Sequence, residues 1–502
     1  MENRNHSSKV ITAVTYVYMI LPFLIFAIGW MKIYFWIPAA AAVLFCAWKA
    51  WRDTPAFWRP QFNKDNIVKI IFILAIIAAW VFYSGIGKQV FQNSDHYYRN
   101  GIFEVLVDCK WPVYNKEINF GVYPEGTTMT SMMYYIGFWM PAAVVGKLFG
   151  IEAGYIFQMI WAFIGIALIY YYICTRKKKL AVWPLALLIF FSGLDIVGMF
   201  LTGTNVFDIA NDAHIEWWVF PYQYSSNTTQ LFWVFNQSLP AWLCTVFAMQ
   251  QTNNRSLIFI LATLLLNATF PFVGLLVFTI FWALSRKYTL PETDILKDKA
   301  KNWLKAFSKD TFTIQNILGG GVLGIFTYLY IKGNVAASNI ASQESLLETI
   351  EWEKYLILVL VEVGAYLLLL YKYNNNKGVY FVTLLSLVMV PLFMGGSKDF
   401  CMRVSIPALF ILMLLVQDTL EASKHKKDKF VFIGLAAALC IGSITPIHEI
   451  SRTIKGTMEC NSNGTEYGTT QTKYDVLNFE NFSGSVDDNL FFDYIAKKPK
   501  EN

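Results

Sequence analysis

Runs of about 20 consecutive apolar residues constrain this chain before any other feature does, because a helix of that length crosses the hydrocarbon layer of a bilayer. Val10 to Trp30 and Ile151 to Cys174 are two such runs. In hydrocarbon the backbone must satisfy its own hydrogen bonds, so segments of this kind cross as helices. Composition agrees: of 502 residues, 56% are hydrophobic and only 15% are charged. The expected class is an all-α, polytopic integral membrane protein with about 12–14 hydrophobic helices.

The net charge of +6 does not point to nucleic acid, since Lys and Arg fall in short connectors and not on one face. The basic connectors are 49–64, 175–179, 286–309 and 424–429. Positive connectors stay on the cytoplasmic side. The expectation is a plasma (cytoplasmic) membrane protein with a cytoplasmic N-terminus and extracytoplasmic loops at 87–130, 202–230, 334–354 and 395–403. The first apolar run lacks a small-residue cleavage site and reads as a retained span. The run 130–148 carries Pro141 and Lys147. The sides alternate correctly only if this run re-enters or lies at the interface. Leu257 to Ser285, with Asn267 and Pro271 in its middle, reads as a hairpin or a pair of broken helices. Residues 1–447 then form the transmembrane domain, and 448–502 a polar extracytoplasmic tail. Seven cysteines without CxxC spacing suggest neither a metal cluster nor a redox pair.

Three polar clusters share the expected outer side. The first is SDHYYRNGIFEVLVD, where Asp95 and Arg99 are i,i+4 neighbours if the segment is helical, with His96 beside them. Glu104 lies opposite Asp95 on such a helix, so only one of these groups can face a cavity. A simpler account is an interfacial helix with a solvated ion pair. The second is DIANDAHIEWWVFPYQYSSNTTQLFW, with His214, Glu216, Trp217 and Gln223 among many rings. Sugars are held by such mixtures, rings against apolar faces and polar groups on hydroxyls. An aromatic belt at the membrane surface accounts for the rings but not for His214 and Glu216. The third is MGGSKDFCMRVSIPALF, where Lys398 and Arg403 flank Asp399. Basic residues on the outer side run against the charge bias, and a phosphate ligand would explain them. The competing account is a local Asp399–Arg403 pair at the mouth of a span.

Two acids lie within apolar runs, Asp195 in FFSGLDIVGMF and Glu362 in LVLVEVGAYLL. Intramembrane carboxylates are costly and face interior cavities, where they serve polar sites or proton relays. Asp95, His96, His214 and Glu216 are ligand types that suit a divalent ion, yet no tight spacing supports one, and no cofactor is expected.

The segment leading from Asp95 through MMYYIGFWMPAAVVGKLFG to IEAGYIFQMIWAFIGIALIYYYICTRKKK resembles the GT-C class of polytopic membrane glycosyltransferases over residues 68–180, about a quarter of the chain. The likeness is a span, an exterior loop with an acid near its start, a Tyr-rich stretch, a small-residue run and an aliphatic span ending in basic residues. Two extra spans precede the loop, and His96 stands where many members carry a second acid. The resemblance implies Asp95 as the acid that activates an acceptor, and a polyprenyl-phosphate-linked sugar as donor. His96, Arg99, His214, Glu216, Trp217, Gln223, Lys398 and Arg403 are the expected substrate-binding residues. A polysaccharide polymerase or ligase shares these features. A transporter or flippase of lipid-linked saccharide would draw instead on Asp195, Glu362 and the broken 257–285 segment.

Overall fold

Among the described residues, eight helices are long and apolar enough to cross a membrane: Val10–Trp30, Ile33–Asp53, Lys64–Tyr83, Ile151–Lys177, Trp183–Thr202, Asn227–Met249, Ile406–His425 and Lys429–Asn463. The structure, a computed structural model, describes residues 7–61, 63–123, 125–204, 215–291, 296–335, 350–374, 376–393 and 399–499. A ninth crossing arises if Leu296–Thr311 and Gln315–Ile331, bent by 57° at their junction, count as one span. Of the about 12–14 hydrophobic helices expected, the described residues show these eight long ones, the bent pair and three shorter apolar helices. Several apolar runs are too short or too interrupted: Gly137–Phe149, Thr269–Leu284 and Lys377–Phe393 remain short helices.

Polar contacts between distant segments define two ends of the bundle. At one end Ser7–Ser8 pairs with Phe57–Trp58. There Arg176 and Lys177 reach Asp418 at 2.7 and 2.8 Å, Arg255 lies 3.6 Å from Asp53 and from Asp310, and Lys372 meets Asp428 at 2.6 Å. The described contacts of the basic connectors fall there, among them that of Arg286 with the Gln251 carbonyl. At the other end Tyr114–Asn115, Thr130–Met132 and Ser483–Ser485 form a three-stranded antiparallel sheet, with Ser131 opposite both Tyr114 and Gly484. Asn334 donates to the carbonyls of Met133 and Asn481 there, and Lys354 to that of Phe220.

The segment expected to re-enter keeps both its ends at this second end. The Met133 N–H donates to the Phe482 carbonyl, and Lys147 Nζ to the carbonyl of Val107 at 2.8 Å. The run 257–285 is a hairpin of Leu257–Thr263 and Thr269–Leu284, closed where Asn254 donates to the Ala283 carbonyl. The expected boundary at residue 447 falls inside a helix, Ile444–Asn463. Beyond it the tail is no free appendage: Ser483–Ser485 is an edge strand, and Val476 and Leu477 are buried.

Asn227–Met249 is the central post, buried along its whole hydrophobic window. It breaks at Val234, whose φ of −133° and ψ of 36° are not helical. The span 183–202 is also interrupted, between Trp183–Phe190 and Asp195–Thr202. Side chains satisfy the carbonyls this break frees: Asn227 on Leu188, Thr228 on Ile189 and Tyr366 on Ser192. Gly193 is required at this break, because a Cβ there would collide with the Glu362 carboxylate.

Candidate functional site

Asp95 opens the helix Asp95–Asp108, which lies at the end away from the basic connectors. One turn on, Arg99 Nη2 meets Asp95 Oδ2 at 2.7 Å, the pair that the i,i+4 spacing predicts. The pair is half-buried: the Asp95 side chain is 34% exposed, and the helix packs its other face inward. The Arg99 side chain is 7% exposed, and Ile102, Phe103 and Leu106 of the same helix are buried. Glu104 faces the other way and accepts from Tyr155 and Thr470.

Arg403 ends the short helix Asp399–Val404. Its guanidinium holds Asp399 at 2.6 Å and donates to the Tyr135 hydroxyl at 2.6 Å, and that hydroxyl also accepts from Gln237 at 3.2 Å. The local Asp399–Arg403 pair is therefore present, but it is one arm of a larger network. Burial opposes the Arg403 charge, and the Asp399, Tyr135, Tyr134 and Asp95 side chains more than offset it. Tyr134 completes the link: burial pushes its phenol up, while Arg403 and Arg99 both pull it down. Arg99 Nε, Arg403 Nε and both amide atoms of Asn236 have no hydrogen-bond partner among the described residues. Unpaired buried polar atoms are costly, and such sites concentrate where ligands bind.

The other expected residues take different places. His96 is 1% exposed, and its ring contacts the carbonyls of Phe232 and Ser84 at 3.0 and 3.2 Å. Asn93 donates to the same Phe232 carbonyl at 2.9 Å. These two side chains cover a carbonyl beside the Val234 break, so His96 positions the helix start behind the pocket wall. Burial, then the Arg99 charge, pushes its pKa down to about 3. Glu216 is also buried, accepting from the Ser226 N–H at 2.8 Å and from Gln223 at 2.9 Å. Together they pin the start of Asn227–Met249. Burial, followed by the Asp195 carboxylate, pushes Glu216 up to about 8. Trp217 is 42% exposed, with its ring 6.3 Å from that of Trp233. His214 and Lys398 lie outside the described residues.

Residues missed in the sequence complete the surroundings. Arg452 lies over the Trp233 ring at 5.0 Å and pairs with Glu449 at 2.7 Å. It borders a cavity of about 730 Å³ that reaches Asn93, Ser94, Tyr97 and Tyr98, beside Asp95. The half-exposed indole of Trp217 lies beside Trp233, the ring that Arg452 covers. Asp95 and Arg403 are connected through Arg99, Tyr134 and Tyr135. Asp195 and Glu362 meet elsewhere, both accepting from Trp218 Nε1, at 3.3 and 3.2 Å. Thr445 and Ser192 complete the shell of Asp195 at 2.8 and 2.9 Å.

Among the described residues, no group of three or more His, Cys, Asp and Glu side chains is arranged to hold a metal ion. The cysteines, including Cys109, Cys401 and Cys460, are free thiols. No protein-family model, curated protein or solved structure matches the chain.

Proposed function

We propose that this protein is a membrane glycosyltransferase that moves a sugar from a polyprenyl-phosphate donor to a glycan, lipid or protein acceptor on the extracytoplasmic face. The supporting observation is the convergence of Asp95, Arg99, Tyr134, Tyr135 and Arg403 from segments far apart in sequence. In this reading Asp95, oriented by Arg99, takes the proton of an acceptor hydroxyl. That oxygen bonds to the anomeric carbon, the carbon–oxygen bond to phosphate breaks with inversion, and the electron pair leaves on the phosphate. Arg403, with Lys398 nearby in sequence, stabilises the departing charge. Trp217, Gln223 and Glu216 belong to the sugar-binding side, with Glu216 acting through Gln223.

The test is transfer of a labelled sugar from a polyprenyl-phosphate donor by membranes carrying the protein. Asp95→Asn lowers the rate by about 10² or more, because general-base help is lost. Parental transfer by that variant sinks the assignment. Joining of a whole glycan, as by a polymerase or ligase, is distinguished by product size. The contact of Asp195 with Glu362 favours one second reading, movement of a lipid-linked saccharide between leaflets driven by protons. Asp195→Asn with Glu362→Gln abolishes leaflet exchange under that reading and leaves sugar transfer measurable under the first.

A further inference from the structure

At the far end of the Asp95–Asp108 helix, about 20 Å from Asp95 along its axis, lies a second cavity of about 1040 Å³. Lys110, Lys147, Lys473, Lys497 and Lys498 line it, against the single carboxylate of Asp108. None of the five makes an ion pair with a carboxylate among the described residues. Three also donate to the backbone: Lys147 to the carbonyls of Val107 and Cys109 at 2.8 and 2.5 Å, Lys497 to that of Ile28 at 2.7 Å, and Lys498 to that of Phe492 at 3.3 Å. The chain's last described turn is strapped there on purpose-built contacts, with the Lys497 N–H on the Trp30 carbonyl and Ala496 bridged to Met31. Five ammonium groups around one space repel each other unless an anion joins them.

The rest of the wall is apolar. Ile25, Ile28 and Val144 line it, and the Trp111 ring lies against Gly29, where a Cβ would meet it at 2.5 Å. Ile28 also ends a stripe of the first span. Val10, Val14, Val17 and Ile28 are exposed by 70, 45, 57 and 49%, with Leu21 and Ile25 half-buried between them. These residues recur at helical spacing on one outward face. A charged headgroup in the cavity would therefore have hydrocarbon leading directly away from it along the span.

We infer that this cavity binds an anionic phospholipid, its phosphate among the lysines and an acyl chain on the Ile25–Ile28–Val144 wall. Basic pockets between membrane helices bind acidic headgroups by this combination of charge and burial. The site is separate from Asp95 and does not depend on the reading of that residue. The test uses the full chain in detergent, titrated with phosphatidylglycerol, phosphatidylcholine or inorganic phosphate, and read by native mass spectrometry and thermal unfolding. Phosphatidylglycerol binds at least about tenfold more tightly than phosphatidylcholine, and Lys110→Gln/Lys473→Gln/Lys498→Gln removes that preference. Equal binding of the two lipids, or an unchanged preference in the triple variant, overturns the inference. So does inorganic phosphate that stabilises as well as the lipid, since it would mark a soluble ligand. If the triple variant does not fold, the parent decides: phosphatidylglycerol with a photoreactive acyl chain labels peptides containing Ile28 or Val144, and labelling confined to other peptides overturns the proposal.

Discussion

Arg403 divides its guanidinium between the Asp399 carboxylate and the Tyr135 hydroxyl, two partners set at different angles. A planar fork fixes the direction of both contacts at once, whereas an ammonium group is a point charge on a flexible stem, so charge alone does not reproduce the geometry. Arg403→Lys is expected to keep the protein folded and to raise the donor KM and lower kcat, together costing about 10-fold to 100-fold in kcat/KM. Donor titration in the transfer assay measures this, and unchanged constants would show that the fork is not used. His96 makes a different prediction. Its folded pKa of about 3 lies below the ordinary 6.5. Between these values the unfolded chain binds one more proton than the folded chain, so stability rises with pH across the window. The contribution is complete above pH 6.5 and is lost as pH falls toward 3. At pH 5 the loss is about 2 kcal/mol. His96→Gln should show a smaller drop in Tm between pH 7.5 and 5 than the parent shows. An equal drop would mean that other groups govern the acid limb.

Interrupted helices place these side chains. The break at Val234 exposes the Phe232 carbonyl, and Asn93 and His96 reach it from the turn that precedes and opens the Asp95 helix. The Asp95–Arg99 and Asp399–Arg403 pairs were legible in the sequence, because helical spacing brings i and i+4 together whatever the tertiary fold. The link between them was not, since Tyr135 meets Gln237 across 102 positions and Arg403 across 268. The hairpin at 257–285 was readable from Asn267 and Pro271. The burial of Glu216 was not, because nothing local separates a buried carboxylate from a ligand-facing one. For the tail, composition left a surface appendage and a small capping unit equally open, because polarity does not say what a segment packs against. Yet the Gln92 N–H donates to the Tyr467 carbonyl, the Gln471 N–H to that of Tyr97, and Ser483–Ser485 closes the sheet. A chain ending at Gly464 should therefore lose the support of Asp95 from outside. Limited proteolysis should cut it within 109–130 at least about tenfold faster than the parent, because local opening follows the loss of these contacts. Equal protection would assign the tail no part in holding the site.

At the scale of the whole molecule, the contacts between distant connectors sort the chain into two ends. The strand Ser483–Ser485 pairs with Thr130–Met132, and the N-terminal Ser7–Ser8 pairs with Phe57–Trp58, so the two termini belong to opposite ends. This separation needs an odd number of crossings. If all eight long helices of the described residues cross, they supply an even number, so at least one of the shorter or bent segments, such as Gln315–Ile331, crosses as well. The described basic connectors lie at the N-terminal end and Asp95 at the other, and the charge rule leads us to propose that the N-terminal end is the cytoplasmic one. Thiol labelling of intact cells checks this directly. In a chain with Cys109, Cys440 and Cys460 replaced by Ser, Lys116→Cys should react with an impermeant maleimide before the membrane is opened. Lys179→Cys, beside the basic stretch, should react only afterwards. Both positions are exposed, so accessibility within the protein does not limit either reaction. The reverse pattern would move Asp95 to the cytoplasm, where a polyprenyl-phosphate sugar presented in the outer leaflet could not reach it.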